Sequence, residues 1–228
     1  MGYHNPCLTL SVALAVVPGV AAVKAASLSV PLTFEANQGQ TDPQVRFLSR
    51  GSGYALFLTS NEAVLSLTRH PGTHATIRTG LLGARRSPQI DALDRLPGQS
   101  NYFAGNDPSR WRTGVPTFAR VRYKAVYPGV DLVYYGSQGR LEYDFIVGPG
   151  ANPRTIRLSF RGVDSIRLDG QGDLILSAAG HEFRQHRPVL YQEIGGQRRE
   201  VAGRFVLRPG KTAGFQVGRW IVEPRGTR

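Results

Sequence analysis

An all-β fold, an antiparallel sandwich-like domain of many short strands and hairpins, follows from three features of this 228-residue sequence. From residue 30 onward the apolar residues recur with period two, in runs of five to eight residues. Gly, Pro, Asn or Asp closes almost every run, so the 27 Gly and 15 Pro act as turn punctuation and not as low complexity. No stretch of a dozen residues beyond position 30 keeps the 3.6-residue period of a helix. A chain of this length can bury a full core as one large β domain or as two packed sub-sheets.

In chain order, the N-terminal "MGYHNPCLTLSVALAVVPGVAAVKAAS" has an apolar run from Leu8 to Val17, a Pro18-Gly19 break and then small residues. That order predicts a secretory signal peptide over residues 1–25, with cleavage after Ala22 or Ala25, and an all-β module over 26–228. The run from Leu8 to Val23 contains Pro and Gly and falls short of the roughly 20 apolar residues a membrane span needs. Export is therefore expected over anchoring, with no span left after cleavage. Cys7, the only cysteine, leaves with the segment, and the remaining chain has no thiol for a disulfide or a thiolate metal site.

Strands are predicted at 45–50, 54–60, 63–69, 118–126, 130–136, 140–147, 155–162, 165–170, 173–179, 188–194 and 199–209. The connections "SQG", "GQG" and "IGGQ" predict three hairpins. The stretch 83–116 breaks the alternation. It either divides the chain into two sub-sheets or forms a long excursion over one.

In "RLEYDFIV" (140–147) alternation places Leu141, Tyr143, Phe145 and Val147 on the core face, and Glu142 and Asp144 together on the other. Two residues apart on a strand, these carboxylates are separated by about 6.5 to 7 Å, which is compatible with two-carboxylate glycoside hydrolysis. The string resembles the strand motif of laminarinase-type glycoside hydrolases, whose acid/base is a second Glu. Here Ile146 and Val147 occupy the places where it would fall. The expectation is therefore a non-catalytic protein with no cofactor, and a carbohydrate-active hydrolase using Glu142 and Asp144 is the alternative. Ser52 in "RGSGY" lacks the spacing of a nucleophile elbow. The histidines His70, His74, His181 and His186 do not share a face, so no metal site is expected. "DGQGD" (169–173) opens like a calcium loop but continues into Leu174, Ile175 and Leu176, as a hairpin does.

The net charge is +12, and only three of the 28 basic residues are lysines (Lys24, Lys124 and Lys211), leaving 25 arginines. Arginine suits bidentate contact with phosphate, sulfate or carboxylate. Arg120, Arg122 and Lys124 alternate onto one face of their strand as a basic stripe. The aromatic and Arg-rich segment with Tyr102, Phe103, Asn106, Asp107, Arg110, Trp111 and Arg112 is the expected ligand-contact loop. An exported protein does not meet nucleic acid in the cell, so acidic envelope glycans or a surface protein are the expected partners.

Two stretches, "TFEANQGQTDPQVRFLSRGSGYALFLTSNEAVLSL" (33–67) and "LPGQSNYFAGNDPSRWRTGVPTFARVRYKAVYPGVDLVYYGSQGRLEYDFIVGPGANP" (96–153), closely resemble an N-terminal domain of bacterial cell-surface proteins that stands upstream of SBBP-type β-propeller repeats. The resemblance runs from about Leu32 to the "GFQVG" at 214–218. It implies a secreted or cell-surface module and supplies no catalytic residues. Members of that family continue beyond the point where this sequence ends, at "GRWIVEPRGTR". The resemblance therefore implies either a stand-alone version or a truncated relative that folds poorly alone. On these grounds the chain is expected to be a structural or interaction module of the bacterial envelope.

Overall fold

The computed structural model describes residues 7–16, 32–51, 54–68, 74–137 and 140–221. The cleavage positions after Ala22 and Ala25, Ser52 and His70 lie outside the described residues. The first strand is β1 (Leu8–Val16), formed by the apolar run read above as a signal. Then come β2 (Phe34–Ala36), β3 (Val45–Gly51), β4 (Tyr54–Thr59), β5 (Glu62–Thr68) and β6 (His74–Leu81). A long hairpin follows, β7 (Gln89–Tyr102) and β8 (Arg112–Tyr127), with a single 3-10 turn at Pro108–Arg110 in its tip. The chain continues through β9 (Val130–Ser137), β10 (Arg140–Val147), β11 (Arg157–Arg161), β12 (Ser165–Leu168), β13 (Leu174–Ala178) and β14 (His181–Gln185). It closes with β15 (Val189–Ile194), β16 (Gln197–Val201), β17 (Gly203–Arg208) and β18 (Thr212–Val217).

Every pairing is antiparallel, and all the strands join one continuous hydrogen-bonded sheet. The sheet curls into a nearly closed, barrel-like form in place of the expected sandwich. Neighbours run from β17 through β18, β11, β6, β5, β4, β3 and β2 to β8. From β8 the order continues through β9 and β10 to β1, whose far edge carries β15 and β14. The three hairpins read from the short connections form as β9–β10, β12–β13 and β15–β16. Gly195 and Gly196 between the last two strands both have positive φ (60° and 76°), as the tightest hairpin turns require.

The irregular stretch 83–116 is largely strand. β7 escapes a periodicity reading because it lies along one edge of β8, carries Pro97-Gly98 and buries few of its side chains. Its register with β8 shifts between Arg95 and Gln99, where those two residues would otherwise interrupt the ladder.

The core holds a file of aromatic rings drawn from neighbouring strands. Tyr123, Tyr134, Tyr143, Phe145, Phe215 and Phe205 follow one another at centroid spacings of 5.8, 5.9, 5.9, 5.9 and 5.4 Å. Most of these contacts are edge-on or tilted, the arrangement ring quadrupoles favour. The predicted stripe on β10 is part of this file, and Leu141, Tyr143, Phe145 and Val147 are all buried.

Candidate functional site

An open cavity of about 630 Å³, within the range of small-ligand sites, is lined by residues of β5, β6, β8, β9, β10 and β11 and by the loop after β6. Its floor is made by Tyr123 on β8, Tyr134 on β9 and Tyr143 on β10. Strand alternation turns each of them inward, and Tyr134 and Tyr143 sit directly opposite in the β9–β10 register. The Tyr123 hydroxyl donates to the Thr59 carbonyl (2.7 Å), and that of Tyr143 donates to Gln185 Oε1 (2.8 Å). Tyr134 is 8% exposed, and among the described residues its hydroxyl has no hydrogen-bond partner. Burial pushes all three phenols upward, so they remain neutral donors at physiological pH.

The rim is basic. Arg85 and Arg86 stand exposed on the loop after β6, and among the described residues neither side chain forms an ion pair. Arg161 on β11 pairs with Glu62, which also takes Arg78 at 3.4 Å. The lining thus combines one uncommitted phenol donor, Tyr134, with guanidinium forks and one carboxylate that is already ion-paired. Such groups are chemically suited to contacting oxyanions and hydroxyls.

The loop predicted to contact a ligand forms the tip of the β7–β8 hairpin, at the opposite end of that hairpin from the cavity. Tyr102 donates to Glu35 and accepts from Arg50 Nη1 (3.0 Å). Burial and the Glu35 carboxylate push its phenol up to about 12. Phe103 and Trp111 pack edge-on at 5.1 Å, with Phe103 63% exposed and the Trp111 indole N–H donating to the Gly105 carbonyl. Asp107 caps the 3-10 turn through Ser109, whose hydrogen bonds hold its carboxyl below the usual value. Arg112 gives its donors to the carbonyls of Gln38, Ser109 and Trp111. Asn106 and Arg110 are exposed. The tip is therefore built largely by its own polar groups, and its aromatic pair faces water.

The basic stripe forms on the outer face of β8, but carboxylates of β7 meet it. Arg120 pairs with Asp94, and Arg122 and Lys124 both pair with Asp91 (2.8 and 3.1 Å). Those two cations hold the Asp91 carboxyl down to about 2. The stripe and the hairpin tip do not converge with the cavity.

Glu142 and Asp144 lie half-buried on the outer face of β10. Asp144 accepts from the Tyr135 hydroxyl at 2.9 Å. Burial raises its carboxyl, while hydrogen bonds from Ser11 of β1 and from Tyr135 pull it down. Neither carboxylate lines the cavity described above. Among those residues, no group of three or more His, Cys, Asp or Glu side chains is arranged to hold a metal ion.

The "DGQGD" segment makes the turn between β12 and β13 and anchors β14. Asp173, nearly buried, accepts from Arg184 (3.0 Å), from the Arg187 backbone N–H (2.7 Å) and pairs with His186 Nδ1 (3.1 Å). Burial alone would raise its carboxyl, but the Arg187 N–H and the Arg184 and His186 side chains outweigh burial and hold it below the ordinary 3.8. Asp173→Asn should cost about 2 kcal/mol near neutral pH, measured by denaturant unfolding. Because the folded carboxyl is depressed, this contribution is present above about pH 4 and disappears as the pH falls through the lowered value. The wild type and the variant should therefore converge in stability in acid.

Sequence reasoning did not bring the cavity residues together. Tyr123, Tyr134 and Tyr143 come from three strands and Arg85 and Arg86 from a loop, with no common spacing. Tyr143 is legible only as part of a core stripe. A protein-family model described as a domain of unknown function (DUF7948) matches residues 34–221. No curated protein and no solved structure matches the chain.

Proposed function

Because this chain belongs to the DUF7948 family, whose description assigns no activity, we propose from its geometry that it is a non-catalytic binding module of the bacterial envelope for an acidic glycan. The observation that carries the proposal is the cavity with a tyrosine floor and, at its rim, Arg85 and Arg86, which form no ion pair among the described residues. A uronic acid or sulfated sugar presents ring faces and hydroxyls to phenols, and carboxylate or sulfate oxygens to guanidinium forks. The Tyr134 hydroxyl, without a protein partner among the described residues, is open to such a ligand group.

Export is supported by the residue order of the N-terminal segment, and a cell-surface location by the resemblance to domains found upstream of propeller repeats. The non-catalytic reading is supported by Glu142 and Asp144, which share the Tyr135 hydroxyl on an outer face away from the cavity.

The test is calorimetric titration with uronic and sulfated oligosaccharides against neutral ones, at low and moderate salt. Acidic ligands should bind and survive moderate salt, and the double variant Arg85→Ala, Arg86→Ala should bind about 10- to 100-fold more weakly. Retention of every polyanion at low salt and of none at moderate salt would reduce the interaction to net charge and overturn the proposal.

A further inference from the structure

We infer that the channel filled by β1 is an acceptor slot, which in the processed protein takes an extended strand from another protein chain of the envelope. This rests on the export reading, in which residues 1–25 are removed; the glycan cavity is a separate matter. The apolar run is not laid on the surface. β1 is hydrogen-bonded along both edges, to β10 from Leu8 to Leu14 and on its far side to β15 over Leu8–Ser11 and to β14 from Leu14 onward. Leu8, Leu10 and Val12 are completely buried, and the register sets Leu10 against Phe145, Val12 against Tyr143 and Leu14 against Leu141.

Cleavage after Ala22 or Ala25 would take this whole strand away. It would leave the backbone groups of Leu141–Val147 without partners along one edge and open Phe145, Phe183 and Leu190 to water in the middle of the sheet. An interior gap of that kind is a template for strand addition. The seated segment specifies the partner's chemistry. Aliphatic residues must recur at alternate positions to replace Leu8, Leu10, Val12 and Leu14. Small residues belong between them, as with Thr9, Ser11 and Ala13, and a hydroxyl at the Ser11 position meets Asp144. The incoming strand runs antiparallel to both β10 and β15.

The test uses the full chain with a site-specific protease sequence placed within residues 17–31. The folded protein is cut, its N-terminal fragment is stripped with mild denaturant, and a labelled synthetic peptide LTLSVALAV is added. The expected result is one-to-one incorporation that survives gel filtration, with amide protection restored along β10. A peptide carrying Leu10→Asp should bind at least 100-fold more weakly, and the uncut chain should take up neither. If stripping unfolds the chain, refolding should require the peptide.

Equal uptake of both peptides would overturn the inference. So would a stripped chain that stays cooperatively folded without peptide, or one that fails to refold in its presence. An intact N-terminus on protein recovered from envelopes, read by mass spectrometry, would overturn it as well, because the slot would never open. Loss of oligosaccharide binding with peptide uptake intact would count against the glycan reading alone.

Discussion

Phe145→Ala is expected to lower the stability of this protein by about 4 kcal/mol. The side chain is fully buried and sits between three strands, opposite Leu132 on β9 and Leu10 on β1. Its ring meets Tyr143 and Phe215 at 5.9 Å each, so truncation interrupts the aromatic file at its centre. Neighbours on a curved sheet cannot collapse into the space without breaking the ladders that hold them, so the cavity left behind adds to the lost burial. For a chain of this size the midpoint of thermal unfolding should fall by about 10 °C. Phe145→Leu, which keeps most of the volume, should cost about 1 kcal/mol. A loss below that for the alanine variant, measured by chemical denaturation, would contradict the placement of β10 at the centre of the core. Phe145 also lines the cavity, so under the proposed function the variant should weaken oligosaccharide binding together with stability.

The second large effect concerns Gly162, the residue that follows β11. Its φ is +75°, and a Cβ built there would lie 2.1 Å from the Thr76 carbonyl oxygen on the neighbouring β6. Alanine would face the left-handed penalty of about 1–2 kcal/mol and a collision with backbone that no side-chain rotation relieves. Either the turn or the β6–β11 pairing must shift, and Leu158 to Arg161 pair with Arg78 to Leu81 just beside it. The expected cost of Gly162→Ala is about 3 kcal/mol or more. Gly170 has nothing within 4 Å of the corresponding position, and Gly170→Ala should change stability by about 0.5 kcal/mol or less. Comparable losses at the two sites in urea unfolding would remove the steric explanation. Since Gly80 and Arg161 border the cavity, Gly162→Ala should disturb the cavity as well as the fold.

Strands that bury one face were legible in the residues alone. "RLEYDFIV" shows the alternation because every second side chain enters the core, and β10 has the bounds that alternation implies. Strands that bury little, or bury polar groups, were not legible. β14, "HEFRQ", contributes only Phe183 as a large apolar residue, and its other buried side chain is Gln185, held by the Tyr143 hydroxyl. β18, "TAGFQV", buries Thr212 and Ala213 beside a glycine, and only Phe215 and Val217 stand as large apolar residues on its core face, too few to show the alternation. In 199–209, read as one strand, Ala202 separates β16 from β17.

At the N-terminus, hydrophobicity and alternation point to different fates for the same residues. Leu8, Leu10, Val12 and Leu14 alternate with Thr9, Ser11 and Ala13 as a half-buried strand does, while the density of the run reads as a signal. The cavity was the least legible feature. Its lining comes from residues between 60 and 210 that only the curled sheet brings together, and a single sequence carries no mark of that convergence. The Arg and aromatic richness of 101–112 is a local signal, and the structure accounts for much of it as hydrogen bonding within the hairpin tip.

The measurement that addresses the cavity most directly is a map of amide and side-chain chemical-shift changes as an acidic oligosaccharide is titrated into the protein at moderate salt. The account predicts saturable changes clustered at Arg85, Arg86, Tyr134 and Tyr143. Changes confined to Phe103 and Trp111 at the hairpin tip, or scattered over arginines all around the surface without saturation, would contradict it.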